Sequence, residues 1–222
     1  MFETFMPSIV ASLLNISLDR LPYAEGASFN SEMVCMSNTR RGFLDTISSW
    51  IKSVDPRKPA QILWLTSVAG AGKTVIAHTV AKRCQDEGLL ASCFFFDREV
   101  SGRNNPVALF STIARDLADQ CVDFRQYIAR AVESKRSLAG APIAVRFEEL
   151  IRKSSQCLPA DKPVVLIIDA LDEGYNLDVL KILREHVPKL PGTFRIFVTS
   201  RIVKVMNIFL SNKPHVRSLS IN

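Results

Sequence analysis

Apolar residues recur along this chain in two rhythms. Short runs rich in β-branched and aromatic residues, at 62–66, 91–96, 164–168, 194–199 and 215–221, read as buried strands. Val164-Val165-Leu166-Ile167-Ile168 is the clearest, bounded by Pro163 and Asp169. Between these runs the spacing changes to three and four, which predicts helices over about 39–53, 74–86, 177–187 and 203–210. The first carries Phe43, Leu44, Ile47, Trp50 and Ile51 on one face; Gly88 stops the second and Pro188 closes the third. A longer helical region runs from 106 to about 154 and is broken at 137–142. Three apolar faces divide it: Val107, Phe110, Ile113, Ala114 and Leu117; Phe124, Tyr127, Ile128, Ala131 and Val132; and Phe147, Leu150 and Ile151. Strands alternating with helices predict a mainly parallel five-stranded sheet covered on both faces. The expected division is an N-terminal helical lead-in over 1–58 and an α/β core over 59–222, joined by the linker Asp55-Pro56-Arg57-Lys58-Pro59. Within the lead-in, Phe2, Phe5, Met6, Ile9, Val10, Leu13 and Leu14 also keep helical spacing. Glu3 stands where a signal peptide would carry basic residues, so packing on the core or a partner is the expectation there.

The first strand runs directly into Ser67-Val68-Ala69-Gly70-Ala71-Gly72-Lys73-Thr74, and Gly-Lys-Thr opens a helix. That layout is a phosphate-binding P-loop, in which backbone N–H groups turn inward around an anion. Ser67, Gly70, Ala71, Gly72, Lys73, Thr74 and Val75 are the candidate nucleotide-binding residues. Lys73 can reach the β- and γ-phosphates, and the Thr74 hydroxyl can ligate Mg²⁺. The helix directs its positive dipole end at the phosphates. Ser67 stands where the motif has glycine, and serine is unstrained there only if the turn needs no positive φ. Reduced affinity, restored by glycine, is the expectation.

Two further strand ends carry chemistry. Asp169-Ala170-Leu171-Asp172-Glu173 follows the third strand. A carboxylate there can hold Mg²⁺ beside Thr74, and Asp172 or Glu173 can orient or deprotonate the attacking water. Thr199-Ser200-Arg201 ends the fourth strand, from which Arg201 can reach a γ-phosphate. In parallel sheets ligands bind beyond the carboxyl ends of the strands, where all three segments fall.

These motifs in this order, with Cys93-Phe94-Phe95-Phe96 between them, resemble the NACHT-type nucleotide-binding domains of STAND ATPases. The chain is most similar to the large fungal group related to the nephrocystin-3 N-terminal region. Ala24–Asn30, Cys35 and Thr39-Arg40 resemble that group's lead-in. The resemblance implies Asp169 as the Mg²⁺-linked acid, Asp172 and Glu173 as the hydrolytic acids, Arg201 as the γ-phosphate sensor and Arg40 near the base. It also implies an ATP-binding (or GTP-binding), slowly hydrolysing switch domain in signalling or assembly, with self-association or separate signalling modules as partners. The sequence ends at Asn222, so an architecture without the winged-helix module and sensor repeats of full-length members is expected. A non-hydrolysing nucleotide-binding scaffold is the alternative, and a P-loop kinase is disfavoured by the water-activating acids and terminal arginine.

Composition narrows the field further. The net charge of +6 is spread over separated basic pairs, which argues for a solvated surface rather than a nucleic-acid footprint. Cys35, Cys84, Cys93, Cys121 and Cys157 are odd in number and without a C-x-x-C pair, and His78, His186 and His215 are scattered, so a reducing, cytoplasmic setting is expected. No apolar run approaches the ~20 residues that span a bilayer.

Overall fold

The computed structural model describes residues 18–36, 39–53 and 60–221. The expected N-terminal helical stretch and the 55–59 linker lie outside them. Five strands form one sheet: β1 (Ile62–Thr66), β2 (Leu90–Phe95), β3 (Val164–Asp169), β4 (Phe194–Ser200) and β5 (Val216–Ser220). Their spatial order is β2-β3-β4-β1-β5, and every pairing is parallel. The fold is therefore the α/β type with a parallel five-stranded sheet that the strand–helix alternation predicts, and with the glycine-rich loop following β1 it is that of a P-loop NTPase.

Side-chain alternation divides the strands between two cores. Ile62, Trp64, Phe94, Leu166, Ile168, Ile196 and Val198 point to one face; Leu63, Leu65, Cys93, Phe95, Val165, Ile167 and Phe197 point to the other. A strand buried on both faces needs a continuous apolar run, which is why no strand from β1 to β4 alternates with polar residues. The second face is covered by α1 (Arg41–Lys52) and α2 (Lys73–Asp86), with Leu44, Ile47, Trp50, Ile76, Ala77 and Val80 in the contact. Helix α2 ends as predicted: Gly88 takes φ 66°, and the Leu89 N–H returns to the Cys84 carbonyl at 2.8 Å.

The first face is covered by the long helical region. Asn105 accepts from the Val107 N–H and Pro106 opens a 3₁₀ turn, from which α3 (Leu109–Gln120) continues. A second break, not foreseen from the sequence, falls at Cys121, whose backbone is extended (φ −137°, ψ 115°) between α3 and α4 (Val122–Ser134). No glycine or proline marks it; the change of direction lets Leu117 and Phe124 both enter the core. The predicted break holds a 3₁₀ turn at Arg136–Gly140. Beyond it α5 (Ile143–Arg146) widens into a π-helical turn, Phe147–Arg152. Helices α6 (Leu171–Gly174), α7 (Leu177–Lys181) and α8 (Lys204–Leu210) complete this side.

The lead-in lies against the sheet. Leu18, Leu21, Ala24 and Ala27 join the first core, and the Phe95 N–H on the outer edge of β2 donates to the Ala27 carbonyl at 3.0 Å. That edge is thus partly blocked against intermolecular pairing. Asn30 and Cys35 donate backbone N–H groups to His78 Nδ1 (3.0 Å) and Thr79 Oγ1 (2.8 Å) on α2. The His78 ring stacks on Phe95 at 4.1 Å, and burial lowers its pKa.

Candidate functional site

The strand order places the site. Strand β4 lies between β1, which feeds the phosphate loop, and β3, which ends on Asp169. Arg201, one residue beyond β4, therefore emerges between the loop and the acidic turn. The three segments enclose a cleft of about 280 Å³ lined by Gly70, Gly72, Lys73, Thr74, Val75, Asp172, Glu173, Thr199 and Arg201.

In the loop, Gly70 and Gly72 take φ values of 76° and 87°, which only glycine adopts without strain. Ser67 has no positive φ, so the serine fits the turn unstrained. It is also a participant. Its hydroxyl accepts from Lys73 Nζ at 3.1 Å, and the same ammonium donates to the Ser67 and Val68 carbonyls at 3.2 and 2.9 Å. Ser67 is 1% exposed, whereas Val68 beside it is 71% exposed, so the loop is anchored at its base and open at its tip. Burial lowers the Lys73 pKa, opposed by the carboxylates of Asp172 and Asp169.

Asp169 is the hub. Its Oδ2 accepts from the Thr74 hydroxyl at 2.9 Å, and its Oδ1 accepts from the Thr199 hydroxyl at 2.5 Å. One carboxylate thereby ties the phosphate-loop helix to the ends of β3 and β4. Burial pushes the Asp169 carboxyl above the ordinary carboxylate value, while the Thr199 and Thr74 hydroxyls and the Lys73 ammonium pull it back. A carboxylate and a hydroxyl this close are hard oxygen donors of the kind Mg²⁺ takes, and the paired residues fit that ion.

The next residue, Ala170, is left-handed (φ 52°, ψ 42°), a conformation that costs a non-glycine residue about 1–2 kcal/mol. Its N–H donates to Thr199 Oγ1 at 3.0 Å, which holds the turn in place. That turn directs Asp172 and Glu173 toward Arg201. The Arg201 N–H donates to Asp172 Oδ1 at 2.9 Å, its Nε stands 3.2 Å from Asp172 Oδ2, and its guanidinium meets Glu173 Oε1 at 2.7 Å. Trp64 Nε1 donates to Ser200 Oγ at 2.9 Å and steadies the end of β4.

The structure thus brings Ser67, Gly70, Ala71, Gly72, Lys73, Thr74, Val75, Asp169, Asp172, Glu173 and Arg201 into one neighbourhood. Arg40 stands apart from the cleft lining. Left-handed at φ 55°, it precedes α1 and donates to the Ala71 carbonyl at 3.2 Å, touching the loop from outside.

The sequence profile of the family described as Nephrocystin 3, N-terminal matches residues 38–201, from just before α1 to Arg201 itself. The chain belongs to this nephrocystin-3 N-terminal family. A comparison with curated proteins found none that matches. Among solved structures, that of C. elegans PCH-2 aligns over 91% of this chain and 48% of its own, at 14% identity and a TM-score of 0.43. The chain spans about half the length of that structure.

Two residues of this family member's site were not foreseen. The sequence marks Thr199 only as part of a strand end, yet its hydroxyl bridges Asp169 and Ala170. A threonine two residues before the terminal arginine was the available signal. Arg98, just past β2, contacts Glu173 through its N–H at 3.4 Å and its guanidinium at 3.5 Å. Nothing in the local sequence points to it, because only the β2–β3 pairing brings it there. Among the described residues no helix is long and apolar enough to cross a membrane.

Proposed function

We propose that this chain is a nucleoside triphosphate-binding switch domain of the NACHT-like kind, which binds Mg²⁺·ATP (or GTP) and hydrolyses it slowly in a cytoplasmic signalling or assembly role. The observation that carries the reading is the pair of hydrogen bonds from Thr74 and Thr199 to Asp169. They join a glycine-rich phosphate loop, an acidic strand end and an arginine-bearing strand end into one unit, and a chance Gly-Lys-Thr cluster would have no such partners.

In this reading the loop N–H groups and Lys73 hold the β- and γ-phosphates. Thr74 and Asp169 would hold Mg²⁺, which when bound neutralises charge on the phosphate oxygens. Asp172 or Glu173 accepts the proton of the attacking water. Arg201 meets the γ-phosphate, and its bonds to both acids make its position depend on what occupies the cleft. Val68, exposed at the loop tip, and Arg40, on the outer side of the loop, are within reach of modules or copies that read the nucleotide state.

A second reading has one observation in its favour. Arg201 engages both acids at once, and carboxylates held this way are poor bases for water. A scaffold that holds nucleotide without turning it over would keep that arrangement. Calorimetry with ATP and GTP, with and without Mg²⁺, followed by phosphate release against a Lys73→Ala control, separates these readings. Tight Mg²⁺-dependent binding with turnover above the control supports the switch. Binding without turnover supports the scaffold, and no binding removes both.

A further inference from the structure

The acidic turn is packed on its far side against the residues that follow β2. Gly174 ends α6 immediately after Glu173. It is buried and has no positive φ, so its lack of a side chain serves space rather than backbone freedom. A Cβ built there would stand 2.2 Å from Phe96 Cδ1, 2.6 Å from Phe96 Cε1 and 3.2 Å from the Asn104 backbone. Phe96 has no room to retreat. It is 4% exposed, its ring lies 4.7 Å from Phe94, and its N–H donates to the Asp169 carbonyl at 3.1 Å. Asn104 is held too, because the 97–103 loop is closed by the Asp97 N–H bond to the Arg103 carbonyl (3.1 Å) and by the Arg103–Asp97 ion pair at 3.0 Å. From this same loop Arg98 reaches Glu173.

We infer that Gly174 and Phe96, with Arg98, are positioning residues for the hydrolytic acids: the end of β2 packs into the bare face of Gly174 and sets where Asp172 and Glu173 stand relative to Arg201. The inference rests on the hydrolytic reading for its kinetic consequence and on packing alone for its structural one. Neither Gly174 nor Phe96 is among the cleft-lining residues, so their effect falls on the chemical step more than on binding.

The test is a size-complementation cycle. Gly174→Ala is expected to keep Mg²⁺·ATP affinity within a few-fold while lowering turnover on the order of a hundredfold, the scale of a displacement near 1 Å. Phe96→Leu in the same background makes room for the added methyl group and is expected to recover most of that loss. A merely structural role for Gly174 would not split affinity from turnover in this way. Wild-type turnover in Gly174→Ala, a parallel fall in affinity, or no recovery in the double variant each overturns the proposal. If Gly174→Ala fails to fold, a double variant that folds and turns over supports the packing, and Arg98→Ala carries the test, expected to lower turnover several-fold at unchanged affinity; failure of the double variant to fold or turn over, or full turnover in Arg98→Ala, overturns the proposal. Crystal structures give a readout independent of activity. Glu173 Oε1, now 2.7 Å from the Arg201 guanidinium, is expected beyond hydrogen-bonding distance in Gly174→Ala and back in place in the double variant. An unchanged pair refutes the positioning role even if wild type turns over nothing beyond the Lys73→Ala control, an outcome that by itself removes only the hydrolytic reading.

Discussion

In the phosphate loop, a Cβ on Gly70 or Gly72 would meet no atom within 4 Å; in the acidic turn across the cleft, a Cβ on Gly174 would collide with Phe96. The loop glycines are needed for their backbone angles, the turn glycine for the space beside it. The two regions also treat strain differently. The loop uses glycine at both of its left-handed positions, whereas the turn places Ala170 in that conformation and secures it with a hydrogen bond from the Ala170 N–H to Thr199. A loop that carries its own conformational code can be recognised from a dozen residues. A turn shaped by neighbours from β2, β4 and the 97–105 loop cannot.

The sharpest way to break this contrast is to remove chemistry from the turn while leaving the loop whole. Asp172→Asn with Glu173→Gln is expected to lower turnover by roughly 10²–10⁴-fold, the usual span for a lost general base, with nucleotide affinity within a few-fold. Phosphate release and calorimetry measure the two halves. A double variant at full rate would move hydrolysis to another residue.

The converse change removes binding from the loop. Lys73→Ala deletes a cation that already meets three loop oxygens, and an affinity loss of about a hundredfold or more is expected from losing charge-assisted bonds of roughly 1.5–3 kcal/mol each. Equal ATP binding by calorimetry would remove the phosphate-loop assignment.

Asp169 belongs to both regions and should report on both. Asp169→Asn is expected to weaken Mg²⁺-dependent binding about tenfold or more while changing Mg²⁺-free binding little. Its protonation adds a pH signature. Burial raises its folded pKa above the ordinary 3.8, so the folded state holds the proton more tightly than the unfolded chain. The corresponding stability is complete below 3.8 and is lost as pH rises through the raised value. Urea midpoints of the nucleotide-free protein should therefore decline over that window in wild type more than in Asp169→Asn. Identical slopes would mean that the carboxyl titrates alike in both states.

The smallest expected effect refines the loop. Because Ser67 has no positive φ, glycine relieves no strain there and removes a hydroxyl that accepts from Lys73. Ser67→Gly is expected to change nucleotide affinity by no more than a few-fold and to cost about 0.5–1 kcal/mol of stability. Denaturation midpoints and calorimetry check it, and a tenfold gain in affinity would reinstate the view of Ser67 as a defect.

Strand and helix positions were legible because burial on both sheet faces leaves continuous apolar runs, and because helix ends carry local signals such as Gly88. The loop was legible for the same local reason: Gly70, Gly72, Lys73 and Thr74 act within one turn of chain. The break at Cys121 was not, since an extended residue between two helices there is decided by how Leu117 and Phe124 share the core. Nor was the work of Thr199, Arg98, Phe96 and Gly174. Each acts on a residue that becomes its neighbour only when β4 is placed between β1 and β3, and β2 beyond β3. The sequence by itself determined which residues could meet a phosphate, because backbone angles and charge are local properties. The tertiary structure alone decided which carboxylate faces which arginine and why one glycine must stay bare, because sheet order and packing space belong to the folded chain as a whole.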